Sequence, residues 1–274
     1  MNSLFVTTLL WLCWTLLPLE RSSINTAQQG NSTLKVMSYN VKYCAPYKSS
    51  TPDLDSIARI IRHTDADIVF MQEIDRNTTR SGKVNQLELL SQKTGLNYHF
   101  YGEAISYQGG ETGLGILSRY PMTDQEIHHL PRVELEGRYV SYRILMTAVT
   151  KVEQQHLTIA NTHMELTLEN RELQVPAIDS VLSAAPYPVI FGGDFNATPD
   201  GPTITSFFER GFNSACPGNA PQCFTIPSRE PNRTLDYILY RPRTELGIKS
   251  HEVLHTEASD HLPIITTFEL KSKP

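Results

Sequence analysis

Polar side chains with chemical capability recur where apolar runs stop. Ser38-Tyr-Asn40 follows Leu34–Met37, Gln72-Glu73 follows Ile68–Met71, and Asn161-Thr-His163 follows Leu157–Ala160. Gly192-Gly-Asp194-Phe-Asn196 follows Pro188–Phe191, while Leu235-Asp236-Tyr and Ser259-Asp260-His261 stand just before apolar runs. Singly, an Asp at a strand end is a turn or cap residue, and a lone His is structural. Together, the six supply carboxylates, amides and imidazoles. That set suits hydrolysis of an anionic phosphoester, which needs a hard cation on a phosphoryl oxygen, a base for water and a stabiliser for the leaving oxygen. Oxygen donors such as Asn40, Glu73 and Asp260 suit Mg²⁺, which keeps most of its waters. Zinc is disfavoured: the chain has no His-Glu-x-x-His motif and no paired cysteine spacing.

The elements that must position these residues alternate. Strands are expected at Leu34–Val41, Asp67–Gln72, Leu114–Ser118, Val140–Val149, Leu157–Thr162, Val189–Gly192, Leu235–Tyr240 and Ile264–Leu270. Helical spacing covers Leu54–His63, with apolar Leu54, Ile57, Ala58, Ile60 and Ile61, and Val84–Thr94, which Gly95 closes as a C-cap. Arg171–Ala184 reads as a helix despite Pro176, ended by Pro186 and Pro188. Several neighbouring strands lack a helix between them. The expected fold is therefore α/β, two packed mixed sheets flanked by helices in a four-layer sandwich, over residues 34–271.

Composition allows this. Of 274 residues, 40% are apolar and 19% charged, which excludes disorder as a whole. The net charge of −5 excludes a protein that coats nucleic acid by charge alone. Leu4–Leu17 is almost unbroken apolar, too short for a membrane span and closed by Pro18, Glu20 and Arg21. Residues 1–23 are expected to be a signal peptide and 24–33 a linker, which places the chain outside the cell or in the secretory lumen. Asn-x-Ser/Thr sequons begin at Asn31, Asn77, Asn196 and Asn232. Cys216 and Cys223 bracket a short Pro/Gly/Asn loop and should be disulfide-bonded in that compartment, leaving Cys44 either buried and inert or available to a partner thiol.

In their order, Asp194-x-Asn196 with Ser259-Asp260-His261, and Gln72-Glu-Ile-Asp-Arg76, Gly113-Leu-Gly-Ile-Leu-Ser-Arg119 and Ala258-Ser-Asp-His-Leu-Pro263, resemble the endonuclease/exonuclease/phosphatase superfamily. Its fold is that of deoxyribonuclease I. The branch is similar to the hydrolase-like domain implicated in remodelling lipids of glycosylphosphatidylinositol (GPI) anchors. The resemblance implies a metal-dependent hydrolase of phosphoester bonds, with Mg²⁺, or Mn²⁺ in its place, as cofactor. Glu73 is implied as principal metal ligand, with Asn40 orienting or binding the ion and Asp260 beside it. His261 is implied at the scissile phosphate or as general base, with Asp236 fixing its tautomer. Asp194 is implied to position the attacking water, Asn196 to hold the phosphate or the pentacovalent charge, and His163 to donate to a phosphate oxygen or assist the leaving group, with Glu103 as its carboxylate partner. A glycan on Asn196 would block such a site.

Substrate-side candidates are Arg76, in a basic cluster with Arg80 and Lys83, and Arg119. That cluster is either a solvated loop or a grip on a second phosphate or anionic headgroup. The expected partner is a phosphoester, with a phosphodiester first and nucleic acid or a lipid/GPI headgroup as alternatives; a catalytically inert binding module is the reading of another class. Glu111 and Thr112 occupy the stretch where abasic-site nucleases carry a tyrosine, which weakens the nuclease reading. Tyr107-Gln-Gly-Gly110 is a candidate lip over the site.

Overall fold

The computed structural model describes residues 32–216, 218, 220–241 and 246–271. The expected signal peptide, nearly all of the expected linker and the Asn31 sequon lie outside the described residues. Two six-stranded sheets pack face to face. The first runs β11-β12-β1-β2-β4-β3, with β1 Ser32–Asn40, β2 Ile68–Arg76, β3 Tyr98–Tyr107, β4 Gly110–Ser118, β11 Leu246–Val253 and β12 Ile264–Leu270. The second runs β5-β6-β7-β8-β10-β9, with β5 Met122–His129, β6 Ile144–Val152, β7 Gln155–His163, β8 Val189–Asp194, β9 Asn213–Ser214 and β10 Asp236–Tyr240.

Period-2 patterning explains the layers. In β1, Leu34 and Val36 enter the core between the sheets, while Met37 and Tyr39 face outward under helices α1 (Leu54–Thr64) and α2 (Gln86–Thr94). In β2, Ile68 and Phe70 point inward and Val69 and Met71 outward. In β8, Ile190 points inward, whereas Val189 and Phe191 pack under α3 (Leu168–Ser183) and α4 (Pro202–Glu209). Both faces of these strands are buried, so their sequences are continuous apolar runs.

The helix ends carry their own signals. Asp53 caps α1 by accepting from Ser56 N at 3.0 Å, and Asn85 caps α2 by accepting from Glu88 N at 3.3 Å. Gly95 ends α2 at φ 76°, the left-handed conformation that favours glycine. Pro176 lies inside α3 as expected, and Pro202 starts α4, a helix the sequence reading lacks.

Topology places the site. Within each sheet the central pair is parallel, β1 with β2 and β7 with β8. Asn40, His163 and Asp194 end β1, β7 and β8, and Gln72-Glu73 lies in β2 where its pairing with β1 stops, Gln72 opposite Asn40. Two antiparallel strands begin at the same end: β10 pairs Asp236 with Asp194, and β12 follows Ser259-Asp260-His261. All six polar strings therefore converge on one edge of the sandwich.

Candidate active site

Asn40, fully buried, is the hub. Its Nδ2 donates to Glu73 Oε1 at 3.1 Å and to Asp194 Oδ2 at 3.0 Å, which joins the two sheets. Its backbone carbonyl accepts from Ser259 Oγ at 2.8 Å, bringing Asp260 alongside. Glu73 reaches the site through a β-bulge: the β2–β4 register slips between Gln72 and Ile74, and Glu73 adopts φ 56°. A non-glycine residue in that region costs roughly 1–3 kcal/mol, which the surrounding packing offsets, and the bulge turns the carboxylate off the strand. Beneath it a buried amide pair bolts the sheets together. Gln72 Nε2 donates to Asn161 Oδ1 at 2.8 Å, and Asn161 Nδ2 donates to the carbonyls of Met71 and Gly115.

His261, leading into β12, reaches across to the second sheet: its Nδ1 lies 2.9 Å from Asp236 Oδ2, and its Nε2 lies 3.7 Å from Asp194 Oδ2. Burial alone would push the imidazole down, but the charges of Asp236 and Asp194 outweigh it and hold His261 up at about 10. Burial raises the Asp194 carboxyl to about 6, against the pull of His261 and the hydrogen bonds from Asn196 N and Asn40. His163 Nε2 is 3.4 Å from Asp194 Oδ2. Burial, then the nearby charges of Arg143 and His261, push His163 well down, so it stands neutral. Asn196, at φ 49°, donates its backbone N–H to Asp194 Oδ1 and its Nδ2 to the Met164 carbonyl at 2.9 Å.

The donors fit a hard divalent cation. Glu73, Asp194, Asp236 and Asp260 crowd one site, and Lys42, 3.6 Å from Asp260, is their nearby lysine. Among the described residues, the Glu73 carboxylate receives only an amide hydrogen bond, and Asp236 Oδ1 is buried without a partner. Asp194, Asp236 and His261 have ligand atoms within 4.8 Å of one another. Asp236 and His261, however, already bond each other, and Asn40 turns its amino group toward Glu73 while its Oδ1 accepts from Lys42 N at 3.1 Å, so the Glu73 and Asp260 carboxylates are the oxygens left for an oxygen-seeking ion, with Asn40 orienting Glu73. An anionic phosphate would be repelled by these carboxylates unless a cation intervened.

Other candidates are placed elsewhere. Arg119 donates to Asp65 Oδ1 at 2.6 Å and Asp67 Oδ1 at 2.8 Å, at the start of β2. That is six residues along the strand from Glu73, roughly 20 Å away, so Arg119 ties strand to helix at the end remote from the carboxylates. Arg76 is held by Glu111 across the β2–β4 pair, with Nε–Oε2 at 2.8 Å, and covers the Tyr101 ring. Glu103 accepts from Ser106 Oγ at 2.9 Å on the outer strand β3 and makes no bond to His163. Arg80, which the sequence reading left in the same cluster as Arg76, does line the site cleft. The Tyr107–Gly110 segment is the β3–β4 turn; its tip is tied down by Thr79 N and Oγ1 on the Gln108 carbonyl and by Arg80 N on the Gln108 side chain.

Sequence reasoning missed Arg143 and Glu165. Glu165 is fully buried, two residues after His163, and its Oε2 accepts from Ser141 N at 2.9 Å and Arg143 Nε at 3.3 Å. The available signal was a charged residue heading the apolar run Ile144-Leu-Met and another just past His163. Cys216 and Cys223 form the expected disulfide. Cys44 is buried and burial pushes its thiol far up, which settles it as the inert alternative.

The paired sheets, the convergent carboxylates and the Asp236–His261 couple define a metal-dependent hydrolase of phosphoester bonds. The endonuclease/exonuclease/phosphatase family model matches residues 37–261, and the chain belongs to that family. Solved structures with this fold include an endonuclease/exonuclease/phosphatase from Beutenbergia cavernae, at 19% identity and TM-score 0.74, covering 88% of this chain and 72% of that one. The human Nocturnin catalytic domain with bound sulfate is similar at 19% identity and TM-score 0.67, covering 87% and 94%. A mannosyl-6-phosphatase from Bacteroides thetaiotaomicron is similar at 18% identity and TM-score 0.66, covering 87% and 100%. Among the described residues no helix is long and apolar enough to cross a membrane.

Proposed function

We propose that the protein is a secreted or lumenal Mg²⁺-dependent phosphodiesterase. The observation that carries this reading is the meeting of Glu73, Asp194 and Asp260 around the Asn40 hub, beside the hydrogen-bonded Asp236–His261 couple. Glu73 and Asp260 would hold Mg²⁺, with the Asn40 amide orienting Glu73. The bound ion supplies charge neutralisation and polarises a phosphoryl oxygen. Asp236 holds the protonated His261 ring through Nδ1, so Nε2 is the nitrogen that faces substrate and donates to phosphate or gives up a proton. Asp194, fixed by Asn40 and by Asn196 N, would orient the attacking water; Asn196 would hold the phosphate and the neutral His163 would donate toward the leaving oxygen. The disulfide and the exposed sequons at Asn77 and Asn232 support an oxidising, glycosylating compartment.

The test is hydrolysis of bis(p-nitrophenyl) phosphate by the mature protein in Mg²⁺, in EDTA, and with His261→Ala. Turnover should need the metal and fall by at least about 100-fold in the variant. Metal-independent turnover, or full activity in His261→Ala, would overturn the reading. Plasmid DNA and micellar phospholipid, assayed in parallel, separate the nuclease and lipid-headgroup alternatives.

A further inference from the structure

A cleft of about 250 Å³ opens beside the carboxylates, between the two sheets. Glu73, His163, Arg80 and Arg143 line it, together with Tyr107 and Tyr142, which are exposed. The volume is worth roughly eight waters, more than one phosphate group occupies. Among its lining residues, two guanidinium groups stand against a single carboxylate, Glu73.

The two arginines are held differently. Arg80 is clamped: its Nε and Nη2 bind Asp75 at 2.7 and 2.8 Å, and the Tyr43 and Tyr107 rings cover it at 4.0 and 4.5 Å. Asp75 is fully buried and also accepts from Thr78 and Ser81, so this guanidinium is fixed in place with one amino group left over. Arg143 is mostly buried, with 13% of its side chain exposed, yet only Nε is engaged, by Glu165. Among the described residues neither of its terminal amino groups has a hydrogen-bond partner, and neither is sealed from solvent. They form an open fork on the cleft wall, in the geometry that takes an oxyanion bidentately. A purely structural ion pair would spend that fork on Glu165; here Glu165 spends its other capacity on Ser141 N and Leu166 N.

We propose that this cleft is a second oxyanion site, and that the substrate carries a further phosphate or carboxylate beyond the scissile phosphoester, held by Arg143, with Arg80 adding positive charge to the same cleft. The proposal rests on the phosphodiesterase reading of the adjacent carboxylates. Tyr107 and Tyr142 then flank the part of the substrate that links the two anionic groups.

Three probes test it on the mature protein with Mg²⁺: thymidine 5′-(p-nitrophenyl phosphate), its 3′-phosphate and its 3′-hemisuccinate. Wild type should turn over the 3′-phosphate with kcat/KM about 10-fold or more above the parent, the gain lying in KM, since a charged hydrogen-bonded contact is worth at least that factor. A gain with the hemisuccinate instead assigns the site to a carboxylate. Arg143→Gln should collapse the ratio to about one, and Arg143→Lys, which keeps the charge but not the fork, should leave an intermediate ratio. Equal kcat/KM on all three probes in wild type overturns the second site while leaving the phosphodiesterase intact. So does an Arg143→Gln variant that loses equally on all three, because Arg143 would then serve the scissile phosphate. No metal-dependent turnover of any probe instead overturns the phosphodiesterase reading itself. The wild-type comparison requires no variant to fold, and circular dichroism checks those that are used.

Discussion

Gly193 separates the catalytic strand β8 from β7 by less than a methyl group. A Cβ placed there would lie 2.0 Å from the Thr162 carbonyl oxygen and 2.9 Å from its carbon, and Gly193 sits at φ 153°. Both atoms belong to backbone, so no rotamer change relieves the contact. Moving the contact out to 3.0 Å requires about 1 Å of separation between strands that carry His163 and Asp194, the next residue on each. Overpacking of this kind costs roughly 1–3 kcal/mol, and the strained φ about 1 more. At about 2–4 °C per kcal/mol for a domain of this size, Gly193→Ala should lower Tm by about 4–15 °C. A 1 Å misplacement of catalytic groups costs on the order of 100-fold in rate, so kcat on bis(p-nitrophenyl) phosphate should fall by about that factor even at 15 °C, where the variant remains folded. The control is Gly247→Ala on β11, where the nearest atom would be the flexible Lys271 Cε at 3.5 Å and Tm should hold within about 2 °C. A Gly193→Ala protein with unchanged Tm and kcat within twofold of wild type would refute the reasoning.

Three further outcomes are expected. Mg²⁺ at about 100 times its Kd should stabilise wild type by ~2.7 kcal/mol, raising Tm by roughly 5–10 °C; the rise should shrink sharply in Glu73→Gln, and an undiminished shift would move the metal elsewhere. His251 is pushed down to about 4 by burial while hydrogen-bonded with Thr266 Oγ1. Its folded pKa lies below the unfolded value of about 6.5, so the unfolded chain binds more protons and stability falls as pH drops from about 6.5 toward 4, by at most about 3 kcal/mol. Urea unfolding at pH 7 and pH 4.5 should show a smaller loss in His251→Gln than in wild type; equal losses would exclude His251 as a contributor. Arg119→Ala should cost about 1 kcal/mol, because its guanidinium is half exposed and its pair with Asp65 is solvated while Asp67 keeps its bond from Lys35 N, and should leave kcat/KM within twofold; a tenfold fall would return Arg119 to the substrate side.

Much of the site was legible in the chain because it sits where strand patterning breaks. Asn40, Glu73, His163, Asp194, Asp236 and His261 each interrupt or border an apolar run, and a polar residue at the buried end of a strand has few structural reasons to be there. The central strands were readable for the same reason: burial on both faces demands unbroken apolar sequence. The outer strands β3, β5 and β11 were not, since β5 is mostly exposed and its pairing with β6 slips between Thr123 and Glu126, leaving little alternation to read. Helix α4 escaped because it spans only Pro202–Glu209, too short to establish a period.

Local sequence therefore determined which residues could do chemistry, the four-layer architecture and the capped ends of α1 and α2. Tertiary structure decided which arginines line the cleft beside the carboxylates. Arg76, Arg80, Arg119 and Arg143 are alike as residue types, and only strand direction and register separate them. Arg119 falls at the wrong end of β4, Arg76 is consumed by Glu111 across a strand pair, and Arg143 gains its open fork only because Glu165, from a distant turn, takes its Nε. The fate of a long charged side chain depends on partners brought in by chain folding, and no local window contains them.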